Sequence, residues 1–257
     1  MVCFFLFGIY YSELMKLFKL AIIALLFSLS AHSEPIEFLV GASPGGPDDT
    51  VSRKIAASIE SNSDLKFVII NKPGAAHQIA YNYLEQTKKK TVMVGLDELQ
   101  KQPVYQELET LFYLGDASNY LFVASNTNIF NLKDFIELSK KRTINFGHGG
   151  QGTYSYDMMN ELCNSKLTCL PVPYKSGVEG MAEVMNNTID TYAIVSYGSQ
   201  GYLQNDKFRM IANIKHPKGV NWVKLFGKNL TDNDKEVIER VMKNLDKKFF
   251  TDLGFWN

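Results

Sequence analysis

Pro44-Gly45-Gly46-Pro47-Asp48-Asp49 is the stretch of sequence that decides the fold. This first turn follows a short β-like run, Ile36 to Val40, and leads into a segment with helical hydrophobic spacing. A second turn of the same kind, Lys72-Pro73-Gly74-Ala75-Ala76-His77, follows the run Lys66 to Ile70. Such turns leave the first backbone N–H groups of the helix without partners, and glycine lets a ligand approach the backbone closely. Two of them on neighbouring strands would direct two helix N-termini at one point, which attracts an anion.

The first 33 residues have the pattern of an export signal with an N-terminal extension. Lys16 and Lys19 precede an apolar run from Leu20 to Leu29, and Ala31-His32-Ser33 has the small-x-small pattern of a cleavage site. The apolar run is shorter than the roughly 20 residues that a membrane-spanning helix needs. We therefore expect cleavage near Ser33 and export to the periplasm.

The charge of the chain restricts the class of partner. The chain carries 27 basic and 27 acidic side chains. This balance argues against nucleic acid or an anionic membrane surface as a partner. We expect a monomer that binds a small molecule.

Strand-like and helix-like segments alternate along the rest of the chain. The predicted strands cover residues 36–40, 66–70, 91–95, 111–114, 120–124, 144–146, 168–172, 191–195 and 208–212, the last strand. The predicted helices cover residues 50–61, 78–86, 132–139, 154–164 and 178–185, with a long terminal helix on residues 232–249. Asp49, Asn131 and Thr231 are placed as helix N-caps. This alternation predicts an α/β protein with parallel sheets and helices on both faces.

A third glycine-rich turn, Gly147-His148-Gly149-Gly150-Gln151-Gly152, satisfies G-x-G-x-x-G between a predicted strand and a predicted helix. The pattern alone suggests a dinucleotide site. Against that, Val172-Pro173-Tyr174 stands where the acidic residue that binds the ribose belongs, and an exported chain is separated from the NAD pool. A turn that binds an anion or a polar ligand is the better interpretation.

The sequence contains no catalytic or metal-binding signature. Tyr197-Gly198-Ser199-Gln200-Gly201 has tyrosine where a nucleophile elbow needs glycine, and no phosphate loop or zinc spacing is present. We expect no catalysis, no metal and no cofactor. His77 and His148 are either solvated loop residues or donors to an anionic ligand, and Asp97 is either a helix cap or a partner for a ligand amino group or hydroxyl. Cys163 and Cys169 are either a disulfide or two buried thiols, because spacing alone does not settle their geometry.

Four motifs carry a resemblance to a known family. They are Ile36-Glu37-Phe38-Leu39-Val40, Pro44-Gly45-Gly46 with Asp49, Asn71-Lys72-Pro73-Gly74-Ala75, and Val172-Pro173-Tyr174-Lys175-Ser176-Gly177. Together they resemble the Bug family, the extracytoplasmic solute-binding components of tripartite tricarboxylate transporters. The likeness runs from about Glu34 to Ala212 and more faintly through the terminal helix.

The resemblance implies a two-lobed type II periplasmic-binding-protein fold, with two Rossmann-like parallel-sheet domains and a central cleft. Residues 34–117 and 214–257 would form lobe 1, and residues 118–213 lobe 2. In such proteins the first two turns bind a carboxylate, partly through water, and the second lobe binds the rest of the ligand. With both histidines and Asp97 included, the expected ligand-binding residues are Ser43, Pro44, Gly45, Gly46, Asp49, Thr50, Gly74, Ala75, Ala76, His77, Asp97, His148, Gly150, Gln151, Gly152, Thr153, Tyr154, Ser155, Ser196 and Tyr197.

The chain departs from the family pattern at several positions. Ala76 and His77 stand where relatives continue with glycine, Ser196 where relatives often carry aspartate, and Asp97 where a small polar residue is usual. The segment after Ile214 is shortened to His216-Pro217-Lys218-Gly219, which could trim the surface that docks on the permease. The resemblance implies capture of a small carboxylate (a di- or tricarboxylate, an amino acid or an aromatic acid) for membrane permease subunits. The alternatives are a sensor that passes its ligand to a signalling receptor, and an extracytoplasmic enzyme that uses His148 or His77 as base.

Overall fold

A computed structural model describes residues 34–96, 107–215 and 221–255 of the chain. The predicted export signal, Asp97 and the shortened segment at residues 216–219 lie outside these ranges. Their predictions stay predictions.

Ten strands in the described ranges form two five-stranded sheets. The strands are β1 (Ile36–Val40), β2 (Phe67–Asn71), β3 (Thr91–Leu96), β4 (Glu109–Ala117), β5 (Asn119–Ala124), β6 (Ile144–His148), β7 (Cys169–Pro173), β8 (Thr191–Val195), β9 (Phe208–Ile214) and β10 (Asn221–Lys228). The first sheet has the order β2-β1-β3-β10-β4, and the second has the order β7-β6-β8-β5-β9.

Both sheets are mixed, whereas the sequence pattern predicted parallel sheets. β1 pairs in parallel with β2 and β3, and β6 pairs in parallel with β7 and β8. The remaining pairs are antiparallel, because β10 runs against β3 and β4 while β5 runs against β8 and β9. Each sheet therefore has a parallel three-stranded part, and the glycine-rich turns follow strands of these two parts.

The prediction that residues 208–212 form the last strand is wrong, since β10 follows it. Two lysines interrupt its apolar pattern, yet Lys224 and Lys228 are both buried. The Lys228 ammonium group donates hydrogen bonds to the carbonyl oxygens of Leu84 (2.8 Å) and Glu85 (3.0 Å) near the end of a helix. Because these hydrogen bonds satisfy its ammonium group, Lys228 can be buried in a strand, although the sequence pattern predicts a solvent-exposed lysine there.

Eight α-helices lie in the described ranges. They are α1 (Pro47–Ser61), α2 (Gln78–Gln86), α3 (Leu132–Ser139), α4 (Tyr154–Ser165), α5 (Gly177–Met185), α6 (Gln200–Leu203), α7 (Asp232–Asn244) and α8 (Lys247–Asp252). Two predicted caps are confirmed: the Asn131 side chain accepts the N–H of Asp134, and Thr231 forms a capping box with Asp234. The predicted long terminal helix is instead two helices, because Leu245 takes an extended conformation and Asp246 caps α8.

Apolar side chains cover both faces of each sheet. On the first sheet, Phe38 packs with Ile55 of α1 and Ile238 of α7, while Leu39 packs on the opposite face with residues of α2. On the second sheet, α4 packs on one face and α5 on the other. Helices therefore cover both faces of each sheet, and the loops at the carboxyl ends of the parallel strands are left to form a site.

Polar contacts join the two sheets where the chain passes between them. The Ser196 N–H donates to the carbonyl oxygen of Ser118 (2.8 Å), and the Ser196 hydroxyl donates to that of Gly254 (3.0 Å). The Tyr197 ring stacks on Phe255 with 5.3 Å between ring centroids. Contacts group the described residues from Pro35 onward into one compact unit. The division into lobes at residues 117/118 and 213/214 therefore stays a prediction.

Cys163 and Cys169 form a disulfide, which answers the alternative left open by the sequence. The bond links the last turn of α4 to the first residue of β7. Both cysteines pack against the core of the second sheet.

Candidate ligand-binding site

A cavity of about 360 Å³ lies between the loops of the two sheets. Its lining residues are Gly41, Ala42, Pro47, Asp48, Gly74, Ala75, Ala76, His77, Gln78, Tyr81, Leu96, Gly149, Gln151, Gly152, Thr153, Tyr154, Ser155, Lys175, Ser176, Gly177, Tyr192, Ala193, Ile194, Val195 and Tyr197. Most belong to the ends of parallel strands or to the loops that follow them. This edge is where ligands of α/β proteins commonly bind.

Four helix N-termini border the cavity. α1 contributes Pro47 and Asp48, and α2 contributes Gln78 together with the preceding turn. From the other side, α4 contributes Tyr154 and Ser155, and α5 contributes Gly177. Since a helix N-terminus carries about half a positive charge, the four together create a site for an anion.

Several backbone N–H groups on the cavity wall have no acceptor in the described part of the chain. In the second turn these are the N–H groups of Ala75 and Ala76, and at the helix starts those of Asp48 and Gly177. Backbone donors at the edge of a cavity are the groups that hold a carboxylate when no arginine is present.

The second turn has an unusual backbone. Ala75, Ala76 and His77 have φ values of 48°, 50° and 72°, three successive non-glycine residues in the left-handed region. They form a short 3₁₀ turn that precedes α2. Left-handed alanine costs about 1–2 kcal/mol per residue, so the turn stores strain at the cavity wall.

The third turn is fixed by its own hydrogen bonds. The Ser155 hydroxyl accepts the N–H of Gly149 (2.8 Å), and the Thr153 hydroxyl donates to the carbonyl oxygen of Gly150 (2.7 Å). Gly150 and Gly152 have φ values of 98° and 90°, which explains the need for glycine at both positions. The turn therefore presents the start of α4 to the cavity in a defined position.

The charged and titratable side chains on the cavity wall are few. They include Asp48, His77 and Lys175, with the tyrosines Tyr192 and Tyr197 beside them. The His77 Nε2 atom lies 3.8 Å from an Asp48 carboxylate oxygen. Burial, followed by the charge of Asp48 and a hydrogen bond to it, raises the pKa of Tyr197 well above its ordinary value. Burial also raises the pKa of Tyr192 to about 12, so both phenols stay neutral donors at physiological pH.

The structure brings half of the predicted site residues to the cavity. Those on its wall are Gly74, Ala75, Ala76, His77, Gln151, Gly152, Thr153, Tyr154, Ser155 and Tyr197. Those off the wall are Ser43, Pro44, Gly45, Gly46, Asp49, Thr50, His148, Gly150 and Ser196, while Asp97 lies outside the described residues. The remaining lining residues were not named as site residues, although Pro47, Asp48 and Gly149 belong to the first and third turns.

In the first turn, Pro47 and Asp48 line the cavity, whereas Gly45, Gly46 and Asp49 lie behind its wall. The Gly45 N–H donates to the Asp49 carboxylate (2.9 Å) and the Gly46 N–H to the carbonyl oxygen of Ser43 (3.1 Å), so neither is available to an anion. The prediction of Asp49 as N-cap is wrong, because Gly46 occupies that position and Pro47 begins the helix. Asp49 is the third helical residue and folds its carboxylate back over the turn.

Asp49 holds the first turn to the neighbouring strand. Its carboxylate accepts the Arg53 Nε–H (2.8 Å) and the Asn71 side-chain amide (2.9 Å) in addition to Gly45. Burial alone would raise the pKa of Asp49, but these three hydrogen bonds outweigh burial and lower it. Asp49 therefore fixes the start of α1 relative to the start of the second turn, and it does not line the cavity.

His148 and Ser196 are buried in the structural framework. The His148 Nδ1 atom accepts the N–H of Gly150 (3.0 Å), and its ring packs edge-on against Tyr156. Burial lowers the pKa of His148, whereas the sequence suggested a cleft histidine whose pKa an anion would raise. Ser196 is fully buried at the passage between the sheets and is bonded to Ser118 and Gly254.

Some of the missed residues carried a readable signal. Lys175, Ser176 and Gly177 follow β7 in the fourth family motif, at the same edge as the glycine-rich turns. Tyr192 carried none, because it lies inside a strand where apolar alternation predicts core packing. It is accommodated by two glycines: an added Cβ at Gly180 would lie 2.2 Å from the Tyr192 ring, and one at Gly147 would lie 2.7 Å from it.

Comparison with known proteins agrees with this architecture. A UPF0065 protein of Bordetella pertussis is 24% identical over 221 residues, covering 78% of this chain and 68% of that protein. The periplasmic binding protein BugD superposes with a TM-score of 0.71 at 17% identity, covering 86% of each chain. MatC from Rhodopseudomonas palustris with bound malate superposes with a TM-score of 0.68 at 18% identity, covering 87% of this chain and 90% of the other. These similarities confirm the predicted periplasmic-binding-protein fold.

Two further findings concern the described residues. None of their helices is long and apolar enough to cross a membrane. Their His, Cys, Asp and Glu side chains form no group of three or more that could hold a metal ion.

A sequence comparison with protein families identifies the chain's family. The family described as tripartite tricarboxylate transporter family receptor matches residues 51–222. Since this is more than half of the chain, the protein belongs to that family, a family of binding proteins.

Proposed function

We propose that the protein captures a small carboxylate in the periplasm and delivers it to the membrane permease subunits of a tripartite tricarboxylate transporter. It acts as a monomeric binding protein and catalyses no reaction. The membership of the family supports the transport role, and the cavity supports the class of ligand.

The observation that carries the proposal is the convergence of four helix N-termini on one cavity. The N–H groups of Ala76 and Gly177, which have no acceptor among the described residues, approach it from opposite sides, and Lys175 adds a positive charge. A helix end contributes about 0.3–1 kcal/mol when exposed and up to about 2 kcal/mol when partly buried. Charge-assisted hydrogen bonds contribute about 1.5–3 kcal/mol each. Such a wall binds a carboxylate group without an arginine.

The size of the site and the related structures agree with a small acid. Pockets for small molecules begin at about 300 Å³, and this cavity has about 360 Å³. The related structures include MatC with bound malate and the R. palustris protein Rpa4515 with adipate, which superposes with a TM-score of 0.69 at 15% identity and 83% coverage of this chain. A ligand of four to six carbons is therefore the expected class.

Capture would proceed by closure of two lobes about the passage between the sheets. The walls already touch: an added Cβ at Gly198 would lie 2.2 Å from the carbonyl oxygen of Pro47, and one at Gly46 would lie 3.5 Å from Val178. A ligand bonded to the starts of α1 and α5 together contacts both walls. Its binding favours the closed arrangement by the difference in its affinity for the two states.

A matched pair of glycine variants tests the position of the site. Gly152 and Gly45 both have a positive φ with open space at the Cβ position, but only Gly152 lines the cavity. In a thermal-shift screen of malate, succinate, adipate, L-aspartate and L-glutamate, a ligand at 100 times its Kd adds about 2.7 kcal/mol to stability. Gly152→Leu should abolish this shift, whereas Gly45→Leu should incur the same backbone strain and keep it. Absence of any shift in the wild type, or its survival in a folded Gly152→Leu variant, would overturn the proposal.

A further inference from the structure

A carboxylate lies on the wall of this anion site. Asp48 is the second residue of α1 and lines the cavity together with the unpaired N–H groups. Its side chain is 16% exposed, so it faces the cavity interior rather than bulk water. A negative side chain is an obstacle to a second ligand carboxylate, and like charges at short range disfavour each other.

The Asp48 carboxylate has acceptor positions to spare. The Tyr197 hydroxyl donates a hydrogen bond to it, which uses one of about four lone-pair positions. His77 Nε2, at 3.8 Å, is beyond hydrogen-bond distance. Lys175, the other charged residue on the wall, precedes α5 in the second sheet and forms no ion pair with Asp48 among the described residues.

We propose that Asp48 binds the ammonium group of the ligand, so that the ligand is an amino acid whose carboxylate is held by the helix N-termini. An ammonium group offers three donors, and one of them reaches the carboxylate while the neighbouring Tyr197 hydroxyl keeps its own bond. This inference rests on the proposed function and names the substrate class of the same site. It assigns to Asp48 a role that the sequence suggested for Asp97.

Paired ligands test the inference in the wild-type protein. L-aspartate and succinate share a carbon skeleton and both carboxylates, and so do L-glutamate and glutarate; each pair differs in one ammonium group. By isothermal titration calorimetry on protein refolded free of ligand, the amino acid of at least one pair should bind about tenfold more tightly or better, the value of one charge-assisted hydrogen bond. Equal or tighter binding of the dicarboxylate in both pairs would overturn the inference and leave the proposed function intact. Absence of binding by all four compounds would overturn the inference, and the shifts with malate and adipate in the thermal-shift screen would then decide the proposed function.

An isosteric variant assigns the effect to the carboxylate. Asp48→Asn should lose about tenfold or more in affinity for the preferred amino acid and gain affinity for its dicarboxylate, because a negative charge is removed. Asp64→Asn, at an exposed position away from the cavity, should change neither. A folded Asp48→Asn protein with the wild-type preference would overturn the inference.

A histidine variant separates Asp48 from its neighbour. His77→Asn removes the imidazole beside Asp48 and keeps the carboxylate, so loss of the preference for the amino acid in this variant would overturn the inference. Asparagine tolerates the left-handed conformation of this position. We expect His77→Asn to keep the preference for the amino acid. Should the Asp48→Asn protein fail to fold, the wild-type comparison and this variant still decide the matter.

Discussion

Replacing Asp49 by asparagine should destabilise the protein although the cavity wall is untouched. Asparagine has the same shape but a single acceptor oxygen, and the carboxylate uses both oxygens. One accepts Gly45 N–H and Arg53 Nε–H, and the other accepts the Asn71 amide. With its oxygen toward Gly45, the new side chain places its NH₂ group against the Asn71 amide. Asn71 cannot turn without losing its bond to the carbonyl oxygen of Ala42 (3.0 Å).

The expected loss at pH 7 is about 2–3 kcal/mol. A hydrogen bond to a charged group is worth about 1.5–3 kcal/mol, and one such bond is replaced by two opposed donors. The ion pair with Arg53 adds little, because the arginine side chain is 52% exposed and solvent screens it. For a protein of this size, each kcal/mol lowers the Tm by about 2–4 °C. A decrease of roughly 4–12 °C should follow.

The pH dependence of this loss identifies its origin. The pKa of Asp49 is lowered in the folded state, so its stabilisation is complete above the unfolded-state pKa of about 3.9 and is lost as pH falls through the folded-state value. The difference between wild type and Asp49→Asn should be constant from pH 7 to pH 5 and narrow below about pH 4. Urea denaturation at pH 7, 5 and 3.5 measures it, with Asp64→Asn as the exposed control. A loss below about 0.5 kcal/mol at pH 7, or a loss independent of pH down to 3, would refute the reasoning.

Three further predictions concern the framework around the site. The Cys163→Ser/Cys169→Ser double variant, which opens a loop of sequence separation 6, should lose about 2–3 kcal/mol and keep its ligand affinity, since neither cysteine lines the cavity; two thiols in the denatured, unreduced wild-type protein would contradict this. Ala76→Gly should leave the free energy of unfolding unchanged or raise it by up to about 1 kcal/mol, because it relieves left-handed strain. Ala80→Gly inside α2 should lower it by about 1 kcal/mol or more in the same thermal denaturation experiment. Equal losses in the two variants would exclude strain in the turn. His148→Asn keeps an acceptor for Gly150 and should lose less stability than the wild type between about pH 7 and pH 5. Because the pKa of His148 is lowered in the folded state, the unfolded state binds the proton first, so the wild-type free energy of unfolding is complete above about pH 6.5 and falls below it. Parallel pH profiles of the two proteins would show that His148 is not the cause.

Sequence patterning predicted the elements whose local signals agree with their tertiary role. β1 and β8 have the predicted bounds, and the caps Asn131 and Thr231 start their helices. β10 was missed because buried Lys224 and Lys228 give a central strand the pattern of a solvent-exposed segment. The satisfaction of Lys228 by Leu84 and Glu85 depends on a helix about 140 residues away in sequence, which no local pattern contains.

The sequence predicted the chemistry of the candidate site better than the residues that line it. Glycine turns after parallel strands indicated helix N-termini around an anion, and the second and third turns do line the cavity. The first turn differs because Asp49 takes the Gly45 N–H for itself, a competition that composition does not reveal. His148 was misplaced for a similar reason: its turn is at the site, but its ring points into the protein and bonds Gly150.

Two of the departures from the family pattern, Ala76 and His77, lie at one corner of the cavity. The resemblance implies glycine at both positions, and the structure holds Ala76 and His77 in the left-handed conformation that glycine adopts without cost. Such strain persists only where the surrounding contacts fix the conformation of the turn. The strained conformation directs N–H groups at the cavity. His77 is also the residue that approaches Asp48, whose own bond to Tyr197 crosses from the first sheet to the end of β8. A strained donor turn and an acceptor carboxylate side by side suit a ligand that carries both charges, which connects the backbone strain to the choice of ligand.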